Sequence, residues 1–171
     1  MNFELENDTL RVINVNPRRE KHGDDNVPAV DIKLRLESAN DSLTMYSGHL
    51  KGALYHKSAA SSVDPQGQLD GVDPVSDLPN LRFPQVEDLK WNAELSGYTL
   101  SIDHGLGGKS NLVLHHCCVN NFALQCKEGG TVVHTFRVQC DEVSEKELGR
   151  LCTLIDSDIV ATLTGPEGAE E

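Results

Sequence analysis

The pattern of apolar residues predicts a mainly β protein, an antiparallel sandwich or small barrel with one short helix and one long mobile loop. That expectation rests on three features. Val30, Ile32, Leu34 and Leu36 alternate with Asp31, Lys33 and Arg35, and the same period of two recurs through much of the second half. Turn-forming pairs such as Ser96-Gly97 and Gly129-Gly130 break these runs at short intervals, as between antiparallel neighbours. Only one sizeable stretch, starting at Asp41 or Ser42, repeats apolar residues at helical spacing. At 171 residues the chain has the size of one domain, able to bury roughly 70% of its extended-chain surface without a disulfide or a metal. Phe, Trp and Tyr make up only 5% of it, so Leu, Val and Ile must build most of the core.

Taken along the chain, residues 3–15 read as one or two strands. Asn16-Pro17 through Val27-Pro28 read as an exposed loop, and the alternating run from Val30 to Leu36 is the next strand. Leu43, Tyr46, Leu50, Ala53 and Leu54 predict a short helix reaching about Lys57, weakened by Gly48 and Gly52. Residues 58–79 are rich in Ser, Asp, Gly and Pro, and are expected to form a long mobile insertion within a single domain spanning residues 1–164. Leu89, Trp91, Ala93 and Leu95 then predict a strand that turns at Ser96-Gly97 and returns through Tyr98, Leu100 and Ile102. Residues 112–118, 119–126 and 131–140 continue as a meander, with Lys127-Glu128-Gly129-Gly130 as a tight turn. Ser144 to Leu148 suit one helical turn, residues 151–163 one or two closing strands, and residues 165–171 an acidic tail.

Fifteen Lys and Arg against twenty-seven Asp and Glu leave a net charge of −12, which repels a polyanion at long range and disfavours general coating of duplex DNA. The excess is uneven: residues 16–22 are locally basic and sit on the predicted loop, whereas the tail has no basic residue. Five cysteines, an odd number all in the last third, suggest reduced and buried thiols. Met1 is followed by Asn-Phe-Glu-Leu-Glu, with neither the basic nor the apolar region of a leader, and no apolar run is long enough to span a bilayer. A cytoplasmic protein without a membrane partner is expected.

No motif for catalysis stands up to its structural context. Gly105-Leu-Gly-Gly-Lys-Ser110 ends like a phosphate-binding loop, but Asp103 occupies the place of the first glycine and a strand pattern follows in place of a helix. A glycine-rich hairpin loop fits better. His115-His116 and Cys117-Cys118 lack chelating spacing, and neighbours in a strand point to opposite faces, so no metal is expected. No serine lies in a Gly-x-Ser-x-Gly elbow, and the adjacent carboxylates Asp24-Asp25 and Glu87-Asp88 read as solvated loop charges. An enzyme is not expected, and neither is a cofactor.

What remains is a binding surface. Arg18, Arg19 and Lys21, with Arg82, Trp91 and Lys109, are the candidate contacts, and Lys90, Tyr98 and Arg137 are further residues of suitable chemistry. Basic groups beside aromatic platforms are how small β-barrels take single-stranded nucleic acid. Trp91 alternates with Leu89 and Ala93, which favours the core over a platform.

Several phrases together resemble an uncharacterised family of small proteins encoded by temperate phages and prophages, often near phage recombination functions. They are Asn14-Val-Asn-Pro-Arg18, Glu20 with His22-Gly23, Pro28-Ala-Val-Asp31, Leu81-Arg-Phe-Pro84, Lys90-Trp91, Gly105 to Ser110, Gly129-Gly-Thr-Val132 and Phe136-Arg-Val-Gln139. The resemblance spans most of the chain outside the long loop and the tail, and carries over no catalytic or binding residue. It implies a host-cell setting and two kinds of partner. One is single-stranded DNA during phage replication or recombination. The other is a host nucleic-acid-binding protein, a nuclease or CRISPR-type immune complex, whose basic groove the carboxylates of an acidic inhibitor would occupy.

Overall fold

The computed structural model describes residues 1–57, 77–103 and 111–166, the side chains of His22 and Asp25 excepted. β1 (Leu5–His22) and β2 (Asp25–Ala39) form a long hairpin turning at Gly23-Asp24, where Gly23 takes φ 66°. A single 3₁₀ turn (Asn40–Met45) and a short α1 (Leu50–Leu54) follow, then β3 (Tyr55–His56), which pairs with β4 (Asn80–Leu81). β5 (Leu89–Trp91), β6 (Leu95–Asp103), β7 (Leu112–Lys127), β8 (Thr131–Cys140), α2 (Glu145–Cys152) and β9 (Asp158–Thr164) complete the order.

Every pairing is antiparallel, and the sheet closes on itself as β7-β6-β9-β1-β2-β8 with β8 returning to β7, a six-stranded barrel. Closure removes the unpaired edges that a sandwich would leave. The barrel thus decides between the two expected architectures. β5 lies outside the ring, paired to β7 where β6 has left it. The interior is filled by side chains. Phe3 meets Phe122 and Phe136 edge-on at 5.0 and 4.9 Å, amid Leu10, Ile32, Leu34, Leu100 and Leu124.

The departures from the sequence reading have physical causes. The presumed loop at residues 16–28 is strand, because β1 and β2 run on past their neighbours: β9 accompanies β1 only to Arg11, and β8 accompanies β2 only from Val30. In this two-stranded ribbon the backbone of Pro28 faces away from β1, its carbonyl accepting from Val143 N–H. Its missing donor therefore costs the ladder nothing, and Pro17, at the same phase of the register, is tolerated for the same reason. The basic residues 18–21 lie on a strand, not on a loop.

β7 is one strand where two were expected. His116 and Asn121 both take left-handed backbone, φ 55° and 54°, and each inserts a residue that shifts the alternation. Leu112 and Leu114, then Cys117 and Val119, then Phe122 and Leu124 are therefore the buried pairs. His115 and His116 consequently both face solvent. Ser96-Gly97 likewise is an irregularity within β6, with Gly97 at φ 81°, and not the turn of a β5–β6 hairpin.

The expected helix at residues 41–57 divides instead into the 3₁₀ turn, α1 and β3. Leu43 and Tyr46 enter the core, while the segment around Gly48 is irregular. Asn40, fully buried, takes Gly130 O at its backbone and donates its side-chain amide to Leu78 O at 2.9 Å. Residues 58–76 of the expected loop lie outside the described residues. Its last three are tied down: Asp77 pairs with Lys51, and Pro79 O accepts from Gly129 N–H. α2 starts at the capping box of Ser144 and Glu147 but runs to Cys152, so Leu151 is helical and only one strand closes the barrel. The acidic residues 167–171 lie outside the described residues.

Candidate functional site

With Val30, Ile32, Leu34 and Leu36 inside, Asp31, Lys33 and Arg35 must face out. On β8 the same logic turns Thr135, Arg137 and Gln139 outward. Register then sets these residues in rows across the barrel wall. Asn14, Lys33, Arg137 and Asn120 form one row over β1, β2, β8 and β7, and Asn16, Asp31, Gln139 and Cys118 form the next.

Hydrogen bonds join the rows. Arg137 donates through Nε to Asn120 Oδ1 at 2.9 Å and through Nη2 to Gln139 Oε1 at 3.2 Å. Gln139 Nε2 donates to Asp31 Oδ1 at 3.2 Å, and Asp31 accepts from Arg18 Nε at 2.7 Å. These bonds link amides, guanidinium and carboxylate into one network on the outer wall. The Asn121 bulge bends β7 here, and bulges characteristically re-aim side chains beside sites. Beside it the surface sinks into two adjoining depressions, of about 380 Å³ over Asn14, Asn16, Lys33 and Thr135 and about 590 Å³ over Lys90, Trp91 and Asn120. Both are lined by Asn121, Ala123 and Arg137, so they form one groove across five strands. Among the described residues, Lys33 and Lys90 have no carboxylate within ion-pairing distance.

The residues picked from the sequence are not brought together. Arg18 is ringed by Asp31, Asp141 and Glu20, with Nη2 2.5 Å from Asp141 Oδ1, so its charge is spent on holding the hairpin to the β8–α2 corner. Arg19 and Lys21 are exposed but lie on the opposite face of the ribbon from Arg18. Arg82 donates through Nε to the carbonyls of Gly52 and Tyr55 at 3.1 and 3.2 Å. It stands near the β7–β8 turn, whereas the ribbon projects beyond the other end of β2. The ten residues 30–39 of β2 between those ends span about 30 Å, so Arg82 and the ribbon stand at opposite ends of the wall. Trp91 packs edge-on against Tyr46 at 5.7 Å, a half-buried member of the core with one side in the groove. Tyr98 is buried, and Lys109 lies outside the described residues.

Lys33 and the asparagines at 14, 16, 120 and 121 went unselected. Asn120-Asn121, a polar pair inside an apolar alternation, carried the one available signal, since asparagine tolerates left-handed backbone. Among the described residues no three His, Cys, Asp or Glu side chains converge as a metal site. Of the cysteines only Cys117 and Cys140 are buried, Cys118 and Cys126 are half-buried and Cys152 is exposed, which corrects the expectation that all are interior. The chain matches no known family model, curated protein or solved structure.

Proposed function

We propose that this barrel is a non-enzymatic phage accessory protein that binds a short stretch of single-stranded nucleic acid along the outer groove, in replication or recombination within the host cytoplasm. The observation that carries the reading is the groove itself. Lys33 and Lys90 can meet phosphates, the amides of Asn14, Asn16 and Asn121 can meet base edges, and Trp91 lines the groove beside them. A filled interior leaves the outside of the wall as the place for a ligand. The −12 charge means that affinity comes from these local contacts and not from long-range attraction. About two phosphate contacts give a salt slope near −1.4, much shallower than that of a coating protein.

Fluorescence anisotropy of a labelled oligonucleotide, titrated at low and physiological salt, tests this. The double variant K33E/K90E should abolish binding while the fold persists. Absence of binding by the unaltered protein at low salt would refute the reading. One observation favours the alternative of an acidic inhibitor of a host nucleic-acid-binding protein. Arg11, Arg18, Arg35, Lys51 and Lys127 all pair with carboxylates, leaving a surplus of free negative charge on the surface. Failure of the oligonucleotide titration would make that the leading reading.

A further inference from the structure

Cys117 and Cys140 are 0% and 1% exposed and lie on neighbouring strands. The β7–β8 ladder pairs Cys118 with Gln139, so one step further sets Cys117 opposite Cys140. Directly opposed residues of an antiparallel pair have Cα atoms about 4.5–5.5 Å apart, inside the span of about 4.4–6.8 Å that a disulfide accepts. Both sulfurs converge on one carbonyl: Cys117 Sγ is 3.8 Å and Cys140 Sγ 3.6 Å from His115 O.

The surroundings distinguish the two sulfurs. The neighbouring Cys117 thiol draws the Cys140 thiol down, against the opposing effect of burial. Cys117 is pushed up, first by its interaction with Cys140 and then by burial. Of the two, Cys140 is therefore the readier to lose its proton and to attack, with Cys117 placed to resolve. A surface depression of about 590 Å³ is lined by Leu114, His115, Asp141 and Val143, chain neighbours of the two cysteines, which themselves lie beneath it.

We propose that Cys117 and Cys140 form an oxidisable pair that hydrogen peroxide converts into a cross-strand disulfide. The Cys140 thiolate attacks one peroxide oxygen, the O–O bond breaks, and hydroxide leaves and takes up a proton as water. A sulfenic acid remains on Cys140. The Cys117 sulfur then attacks the sulfenic sulfur, the S–S bond forms as the S–O bond breaks, and the departing hydroxide leaves with the Cys117 proton as a second water. Two thiols thus give up two electrons and two protons to one peroxide. The link staples β7 to the end of β8 beside His116, whose left-handed backbone resets the alternation of β7. It also fixes the neighbour of Asp141, the carboxylate that grips Arg18.

The test exposes the full-length protein to hydrogen peroxide at neutral pH, alkylates the remaining thiols under denaturing conditions and maps the digest by mass spectrometry. A peptide pair lighter by two hydrogens and joining Cys117 to Cys140 is expected, with fragmentation between Cys117 and Cys118 assigning the sulfur. C118S should keep the link. C117S should halt at a sulfenic acid on Cys140 that dimedone traps. Mapping the unaltered protein decides the matter even if a variant fails to fold. A disulfide through Cys118, Cys126 or Cys152, or oxidation of Cys152 while Cys117 and Cys140 both remain alkylatable, would overturn the proposal.

Discussion

His134 should make the fold acid-labile well above the pH at which carboxylates protonate. Its ring is fully buried, with Nε2 2.7 Å from Ser42 Oγ and 3.1 Å from Ser38 Oγ, and Nδ1 3.1 Å from Tyr46 Oη. No carboxylate stands among these partners, so burial dominates and brings the imidazole from 6.5 down to about 4. Between those two values the unfolded chain binds a proton that the folded chain refuses. Stability is therefore whole above 6.5, falls as the pH drops through the window, and stops falling below about 4. Linkage over these two values amounts to about 2 kcal/mol between pH 7 and pH 5, and about 3 kcal/mol in full. Urea unfolding at pH 7, 6 and 5 reads this as a fall in midpoint of about 1 M, given the usual dependence on denaturant for a domain of this size. H134Q keeps an amide donor and acceptor, and the difference between the two proteins' pH profiles cancels every other titrating group. An equal slope in both proteins would refute the reasoning, whatever the variant's stability at pH 7.

Two further substitutions separate structural from binding roles. R18A leaves Asp31 and Asp141 without their clamp and should cost about 1–2 kcal/mol in a urea titration, moderated because Asp31 keeps Gln139 and Arg137. Oligonucleotide affinity should change less than twofold, since that guanidinium is already committed. At Asn121, left-handed backbone predicts that N121G melts within a few degrees of the unaltered protein, whereas N121V loses about 1–2 kcal/mol because a branched Cβ crowds the following carbonyl.

Most of the fold was legible because burial in one wall of a closed sheet imposes a period of two. Val30 to Leu36 and residues 131–140 follow that rule closely, and both were read as strands. The misreadings gather where the period resets. His116 and Asn121 shift the phase of β7 twice, which made one sixteen-residue strand resemble two. Pro17 and Pro28 looked like loop signals because a proline denotes a turn or an edge equally well. Only the neighbours of β1 and β2 reveal that both prolines sit where the ribbon has free edges. The apolar spacing of residues 43–54 marked which side chains enter the core, but not that the backbone would divide around Gly48.

The candidate site was less legible for a different reason: it belongs to register and not to any segment. Asn14, Lys33, Arg137 and Asn120 are scattered over 124 residues, and they become neighbours only when four strands align. Conversely, the basic run at residues 18–21 is conspicuous in sequence, yet the charge of Arg18 is neutralised by Asp31, a partner thirteen positions away, and by Asp141, 123 positions away. Whether a cation is available to a ligand depends on what already holds it. Local charge density therefore points to the ribbon, while Lys33 and Lys90, which have no carboxylate in ion-pairing distance among the described residues, lie in the groove. In a chain of net charge −12, cations such as Arg11, Arg18, Arg35, Lys51, Lys127 and Arg137 stand beside carboxylates, and those that do not are the better guide to where an anion can bind.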